Sequence, residues 1–400
     1  MLLYEDALTR VLQKTIPPSP QEVPLHEALH LFLYKDIYTT HPHPPWRNSA
    51  MDGYAIRHED LKATKNFVII DEIAAGSAPQ KMIQSGTCAR IFTGAPMPEG
   101  ADTVIIQENV EKIENEMNVL TPPKFGANVR QKGEEFPPNA QIASENTRVT
   151  IGLIGLVAAL GIDTLPVYRR PKVAILSTGE ELVAIDQAKG LLPGQIWSSN
   201  NHTLRAAIVE AGGIPLDFGI VGDRVEDTVS RLQDMVAAQP DIIITTGGVS
   251  VGDHDRVQES LLAVGGNIDF WKVRLKPGKP LAMGDIQGIP FFGLPGNPVS
   301  SIVSFWLFLY PLIKKAMGDP QIYLPRAQGI LQKDIKKRHR RAEFVRVRID
   351  KKTNTIVSTG NQSSAWISSV ALADALLYIP AESEGFSAGQ TVDIMLIPKG

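Results

Sequence analysis

The chain has 400 residues, a net charge of −3 at pH 7 and one cysteine, Cys88. That length has room for two to four domains with a sizeable core. The small charge gives no general reason to expect nucleic acid, and a lone cysteine excludes an internal disulfide or a multi-cysteine metal cluster within one chain.

The first residues, Met1-Leu2-Leu3-Tyr4-Glu5-Asp6, have no basic stretch leading into an apolar one, so no signal peptide is expected. Residues 151–165 and 302–313 are the longest apolar runs, too short or too broken by Gly and Pro to span a bilayer. A cytoplasmic location with no membrane contact is the expectation.

Residues 1 to about 36 read as helical, with Tyr4, Ala7, Leu8, Val11 and Leu12 on one face and Pro17-Pro18-Ser19-Pro20 as an interruption. His41-Pro42-His43-Pro44-Pro45 is a stiff linker, because each proline fixes φ and restrains the residue before it. Its two histidines are metal-ligand types, but the flanking prolines favour a loop role. Asn48-Ser49-Ala50-Met51-Asp52-Gly53-Tyr54-Ala55 follows, a small-residue turn carrying one acid.

Residues 67–120 read as strand and loop, with Arg90-Ile91-Phe92-Thr93-Gly94-Ala95-Pro96-Met97-Pro98-Glu99-Gly100 joining two strand-like runs. The proline- and glycine-rich segments mark a small β-rich domain that ends near Pro138, with Glu135 in a loop close to that end. An apolar helix over 151–160 reads as a connector.

From Pro171 strands and helices alternate. Strands are expected at 173–176, 214–221, 241–245, 268–275 and 289–294, and helices at 201–211, 226–238, 257–264 and 299–313. Such alternation implies a mostly parallel sheet covered on both faces. Asn297 and Pro298 read as the N-cap and first turn of the last helix. Beyond Arg326 the pattern is β again, a separate small barrel or sheet.

Thr245-Thr246-Gly247-Gly248-Val249-Ser250-Val251-Gly252-Asp253-His254-Asp255 sits between a strand and a helix. Open α/β sheets place ligands at such carboxyl ends. Glycines let backbone N–H groups approach an anion, Ser250 adds a hydroxyl, and Asp253 and Asp255 offer carboxylates to a hard cation such as Mg²⁺. The alternative is that Asp255, with Gln258, caps the helix. Three more loops fall on the same edge: Ser177-Thr178-Gly179-Glu180-Glu181, Lys276-Pro277-Gly278-Lys279-Pro280 and Leu294-Pro295-Gly296-Asn297-Pro298. Each has an ordinary reading too: Glu181 as a solvated acid, Asp223 and Glu226 as a capping box, the lysines as surface charge.

These four loops, with Asn48 to Ala55 and Phe92-Thr93-Gly94-Ala95-Pro96, occur in the order found in the molybdopterin molybdenumtransferases, called MoeA in bacteria and the E domain in gephyrin. The chain resembles that family over nearly its whole length. The resemblance implies a multidomain α/β architecture: N-terminal helical and connector segments at 1–45 and 139–170, a β-rich front domain at 46–138, a doubly wound molybdopterin-binding domain at 171–325 and a C-terminal β-barrel at 326–400.

It also implies a function, insertion of molybdenum from molybdate into adenylylated molybdopterin with Mg²⁺-dependent cleavage of the phosphoanhydride and release of AMP. Asp52, Thr93, Glu181 and Asp255 would be catalytic, with Glu181, Asp223 and Asp255 at the metal. Thr178, Gly247, Gly248, Ser250, Gly252, Lys276, Lys279, Pro295 and Asn297 would bind substrate, and Lys272, Lys276, Arg346 and Ser364 would bind molybdate. The implied partners are a second copy, which shares its sites with the first, and transiently the adenylyltransferase that makes the substrate.

Departures from the family pattern are Glu135 and Glu180, where Asp is common, and Arg256, where an aromatic is common. Glu135 is the site residue they touch most. A molybdopterin adenylyltransferase resembles the α/β part alone, and a non-catalytic scaffold of the gephyrin type is the third reading. The choice between molybdenum and tungsten stays open. The basic run 333–341 lacks the interleaved aromatics of a nucleic-acid groove.

Overall fold

Three six-stranded sheets organise the chain. The computed structural model describes residues 1–14, 16–17, 19–187, 189–248, 256–350 and 352–398, and the side chain of Arg256 lies outside that description.

The front sheet runs Thr103–Ile106, Gly53–Ile56, Thr87–Ile91, Asn66–Ile73, Glu116–Val119, Val110–Ile113. Its two faces carry separate cores, one around Ile73, Ile83 and Ile91, the other around Phe67, Cys88 and Ile105. The second sheet runs Ile214–Val221, Lys172–Thr178, Ile242–Thr246, Ile289–Leu294, Pro280–Ile286, Gly266–Lys272. Its first three pairings are parallel and its last two antiparallel, because Pro280–Ile286 alone runs against the other five strands. The strand Pro280–Ile286 is absent from the sequence reading.

In the third sheet Ala342–Asp350, Thr355–Ser358, Arg326–Leu331, Thr391–Leu396 and Ala375–Ile379 pair in a ring, closed by the first with the last. Closure removes the open edges of a small sheet. Leu275–Lys276, from the α/β part, adds to it in parallel and sets Lys276 opposite Glu343.

The N-terminal segment departs from the helical expectation. The helix stops at Gln13, and Pro20–Pro24 is a strand paired with Thr164–Tyr168. Ile37–Tyr38 pairs with Gln141–Ala143. Both partners lie more than a hundred residues away, so tertiary pairing overrides the local pattern. Leu31, Phe32 and Leu33 join one large core with Tyr4, Val11, Ile208, Phe305 and Phe344, which fuses the N-terminal segment, one face of the α/β sheet and the barrel.

The helical stretch Pro298–Ala316 is, among the described residues, one helix long and apolar enough to cross a bilayer by length and composition, which the apolar run alone did not suggest. Here 83% of it is buried inside the protein, as the central helix of this core. It widens to a π turn at Phe305–Leu309, all five residues buried. Asn297 holds the N-cap position but its side chain makes no capping bond, contrary to the expectation.

Candidate active site

Strand ends of the α/β sheet build a cavity of about 660 Å³. Thr178, Glu181, Asp223, Gly247 and Gly248 line it, as do Pro295 and Asn297, so seven expected residues meet in one place. Gly247 and Gly248 have φ of +94° and +63°. A Cβ on Gly247 would stand 2.2 Å from the Thr178 carbonyl oxygen, and one on Gly248 would stand 2.4 Å from Val257 Cγ2. Both the backbone hand and the space therefore demand glycine there.

Asn200, first residue of the helix Asn200–Ala211, ties two loops together. Its Nδ2 donates to Thr246 Oγ1 at 2.7 Å and to the Gly296 carbonyl at 2.8 Å. Beside it Ser177 Oγ donates to Asn201 Oδ1, and Asn201 Nδ2 donates to Asp217 Oδ1 at 2.9 Å. By contrast, Thr178 Oγ1 and Ser198 Oγ are buried on the cavity wall with no hydrogen-bond partner among the described residues. Buried hydroxyls without partners are costly, about 1–3 kcal/mol each, unless a ligand meets them.

The two glutamates of the first loop have different duties. Glu180 Oε1 accepts from the Asp223 N–H at 3.0 Å and clasps the neighbouring strand end. Glu181 points back over Gly179, whose added Cβ would lie 2.6 Å from Glu181 Oε2. The Glu181 carbonyl accepts from Ile196 N–H at 2.8 Å, and Leu182–Val183 pairs with Ile196–Trp197 to form a flap. Asp223 does not open a helix through a capping box: Val225–Ala237 has Arg224 as N-cap and no side-chain cap.

Trp197, Ser198, Ser199 and Asn200 line the cavity and were not singled out in the sequence. Their signal was a Ser-Ser-Asn-Asn run at a helix start, the residue types that favour such positions.

The barrel closes one side. Ala365 lines the cavity, and Ser364 beside it accepts, through its carbonyl, from Val299 N–H at 3.2 Å. Lys272, Lys276, Lys279 and Arg346 do not line it. Lys276 Nζ is 2.8 Å from Glu343 Oε1, and His339 Nε2 is 3.2 Å from Glu343 Oε2, though not aligned as a hydrogen bond. Burial holds the His339 imidazole below the ordinary histidine range, with Lys276, Arg341 and Lys337 adding to that and Glu343 opposing it. Arg346 is only 1% exposed, and burial lowers its guanidinium to about 10. It donates to Ser369 Oγ and to the Ser363 carbonyl, both at 3.2 Å, so it braces the loop that carries Ser364.

Asp52 and Thr93 lie in the front domain. Thr93 donates to Asp52 Oδ1 twice, from its N–H and its hydroxyl, both at 2.8 Å. Those two bonds hold the carboxyl below the usual aspartate range. A depressed value favours the folded state above the unfolded value, and that advantage is lost as pH falls through the folded one. Thr93→Val, which removes the hydroxyl bond, is therefore expected to move the Asp52 titration upward toward ordinary aspartate. A carboxyl NMR titration measures this; an unmoved Asp52 would show that the hydroxyl contributes nothing.

Glu135 lies 3.5 Å from His43, on a second cavity of about 610 Å³ in the front domain. Ser250, Gly252, Asp253 and Asp255 lie outside the described residues. Among the described residues no cluster of three His, Cys, Asp or Glu stands ready for a metal. Two acids, Glu181 and Asp223, nevertheless share one cavity with unpartnered hydroxyls, a donor set of oxygens that suits a hard divalent cation.

Comparison with known proteins covers nearly the whole chain. Residues 2–161 match the MoeA N-terminal region (domain I and II), 174–315 a probable molybdopterin binding domain, and 328–397 the MoeA C-terminal region (domain IV). A molybdopterin molybdenumtransferase of Nostoc sp. is 36% identical over 392 residues, covering 94% of this chain and 88% of that protein. One of Haemophilus influenzae is 35% identical, covering 98% of each. The crystal structure of a molybdopterin biosynthesis MoeA protein from Pyrococcus horikoshii superposes with a TM-score of 0.86 at 30% identity, covering 99% of both chains.

Proposed function

The chain belongs to the molybdopterin molybdenumtransferase family, as a transferase of molybdenum cofactor biosynthesis, and from that premise we propose that it takes adenylylated molybdopterin and molybdate, cleaves the phosphoanhydride with release of AMP, and leaves molybdenum on the pterin dithiolene. One observation carries this reading: Glu181 and Asp223 share a cavity with the Gly247–Gly248 loop and the Pro295-Gly296-Asn297 loop. Phosphate needs exactly placed N–H and hydroxyl donors rather than a nucleophilic side chain.

Gly247 and Gly248 bring their backbone close to the phosphates, and Thr178 Oγ1 and Ser198 Oγ donate to their oxygens. Glu181 and Asp223, with Asp255, would hold Mg²⁺, which when bound offsets negative charge on the phosphates. Lys272 and Lys276 supply cations for molybdate, with Ser364 as a hydroxyl donor and Arg346 behind it. Lys276 reaches molybdate by exchanging the Glu343 carboxylate for the oxyanion. Asp52 and Thr93, which line no part of this cavity, act on the site of a second copy, whose own front domain reciprocates. Hand-over from the adenylyltransferase by transient contact would spare the anhydride from water.

Full-length protein incubated with adenylylated molybdopterin, Mg²⁺ and molybdate is expected to release AMP in step with cofactor formation, and to release none when Mg²⁺ is chelated. Parallel runs with tungstate set the metal preference. Consumption of ATP and molybdopterin without AMP release would favour the adenylyltransferase reading, and no turnover with either would favour a scaffold.

A further inference from the structure

The second cavity, about 610 Å³ in the front domain, has walls of two kinds. One is apolar and flat: Trp46, 53% exposed, follows Pro44 and Pro45. Backbone bonds on both sides hold this wall, from Gly133 N–H to the Pro44 carbonyl and from Met97 N–H to the Arg47 carbonyl, each 2.9 Å. A half-exposed indole that follows two prolines on a cavity wall is a stacking surface.

The other wall is rich in acceptors. Asn48 is 7% exposed and its Oδ1 is buried with no hydrogen-bond partner among the described residues. Glu134 and Glu135 add carboxylates; Glu134 Oε2 accepts from Gln131 N–H at 2.6 Å, which leaves its other oxygen unused by that bond. Arg130 lies across from Asn48 in a two-residue strand pair and makes no ion pair among the described residues. Above Gly94 an added Cβ would meet nothing within 4 Å, so the cavity opens beside Thr93 and Asp52.

We propose that this cavity seats the fused ring of a pterin, stacked on Trp46 and read along its donor edge by Asn48, Glu134 and Glu135, with Arg130 facing its anionic substituent. The inference rests on the reading above that the chain handles a pterin, and adds where the ring is recognised. Acceptors select the ring. The 2-amino-4-oxo edge of a pterin presents two adjacent N–H donors, whereas adenine alternates its one amino donor with ring-nitrogen acceptors. An unpartnered buried acceptor beside two carboxylates therefore fits a pterin and repels part of an adenine edge. A division of labour follows, in which the α/β cavity holds the phosphates and the front cavity the heterocycle.

Pterin-6-carboxylate is the probe, titrated calorimetrically into full-length protein, with AMP as competitor. Wild type is expected to bind it, AMP is expected not to displace it, and Trp46→Ala is expected to weaken it roughly tenfold or more, since stacking on one aromatic ring is worth about that much. Trp46→Phe should keep most of the affinity. Asn48→Leu should lose it while Asn48→Asp, which retains an acceptor, keeps it; thermal melts report whether either variant has failed to fold, and the exposed Trp46 variants then decide. Absence of binding to wild type, unchanged binding in Trp46→Ala, or equal displacement by AMP would each overturn the proposal. Loss of binding in Trp197→Ala but not in Trp46→Ala would move the ring to the α/β cavity and overturn it too. AMP release by wild type is scored separately, so that a chain which turns over but fails these titrations refutes the ring site alone.

Discussion

Glu181→Gln is expected to give a protein that folds like wild type and releases AMP about 10²–10³-fold more slowly, the loss typical of one preorganised charged or polar group at a reacting phosphate or carbonyl. The argument starts from the loop. Glu181 is anchored through its backbone, by Ile196 N–H on its carbonyl at 2.8 Å, and its carboxylate makes no ion pair among the described residues. Replacing it by an amide of the same shape leaves the Leu182–Val183 flap in register and removes only charge from the cavity. Glu180 is the control. Its Oε1 accepts the Asp223 N–H at 3.0 Å, and a glutamine still accepts, so Glu180→Gln should stay within a few-fold of wild type. The measurement is single-turnover AMP release beside a urea melt of each variant. Wild-type turnover by Glu181→Gln would remove it from the catalytic set.

How far the sequence reveals this arrangement depends on whether the cause is local. Ile242–Thr246 is legible because a β-branched run with glycines after it has few other conformations open to it, and the crowding around Gly247 admits no side chain. The expected residues that meet in the α/β cavity all come from such strand ends. Pro280–Ile286 is not legible: it follows a turn and carries Gly284 and Asp285, and it is a strand because Ile289–Leu294 and Gly266–Lys272 flank it. Residues 25–36 fail for the same reason, since Leu33 bridges to Val167 and Phe32 to Arg148.

The anion-binding residues show the limit most plainly. Lys276 was readable as a charge in a turn, but its pairing with Glu343, 67 positions on, depends on a two-residue strand added to the barrel. Arg346 was readable as a cation on a strand, yet its burial comes from the loop folded over it. Pairing and burial set what each cation can do: Lys276 must leave a carboxylate to meet an oxyanion, and Arg346 acts from behind Ser363 and Ser364.

The front-domain acids pose the last question, and mixing two inactive proteins answers it. Asp52 and Thr93 form one hydrogen-bonded unit, while Glu181 and Asp223 sit in a cavity to which, among the described residues, the front domain contributes no lining residue. If both halves act in one reaction, two copies related by a two-fold axis would bring them together, and each dimer would hold two composite sites. Asp52→Asn and Glu181→Gln are then each expected to be nearly inactive alone. In a heterodimer one site collects both lesions and the other has none. With random subunit exchange at equal mixing, half of the dimers are mixed and each has one intact site, so activity should return to about a quarter of wild type. AMP release before and after exchange reads this, with native mass spectrometry of isotope-labelled chains counting the heterodimers. Heterodimers that form without recovering activity would place the whole site within one chain, and Asp52 would have to reach Glu181 by domain movement instead.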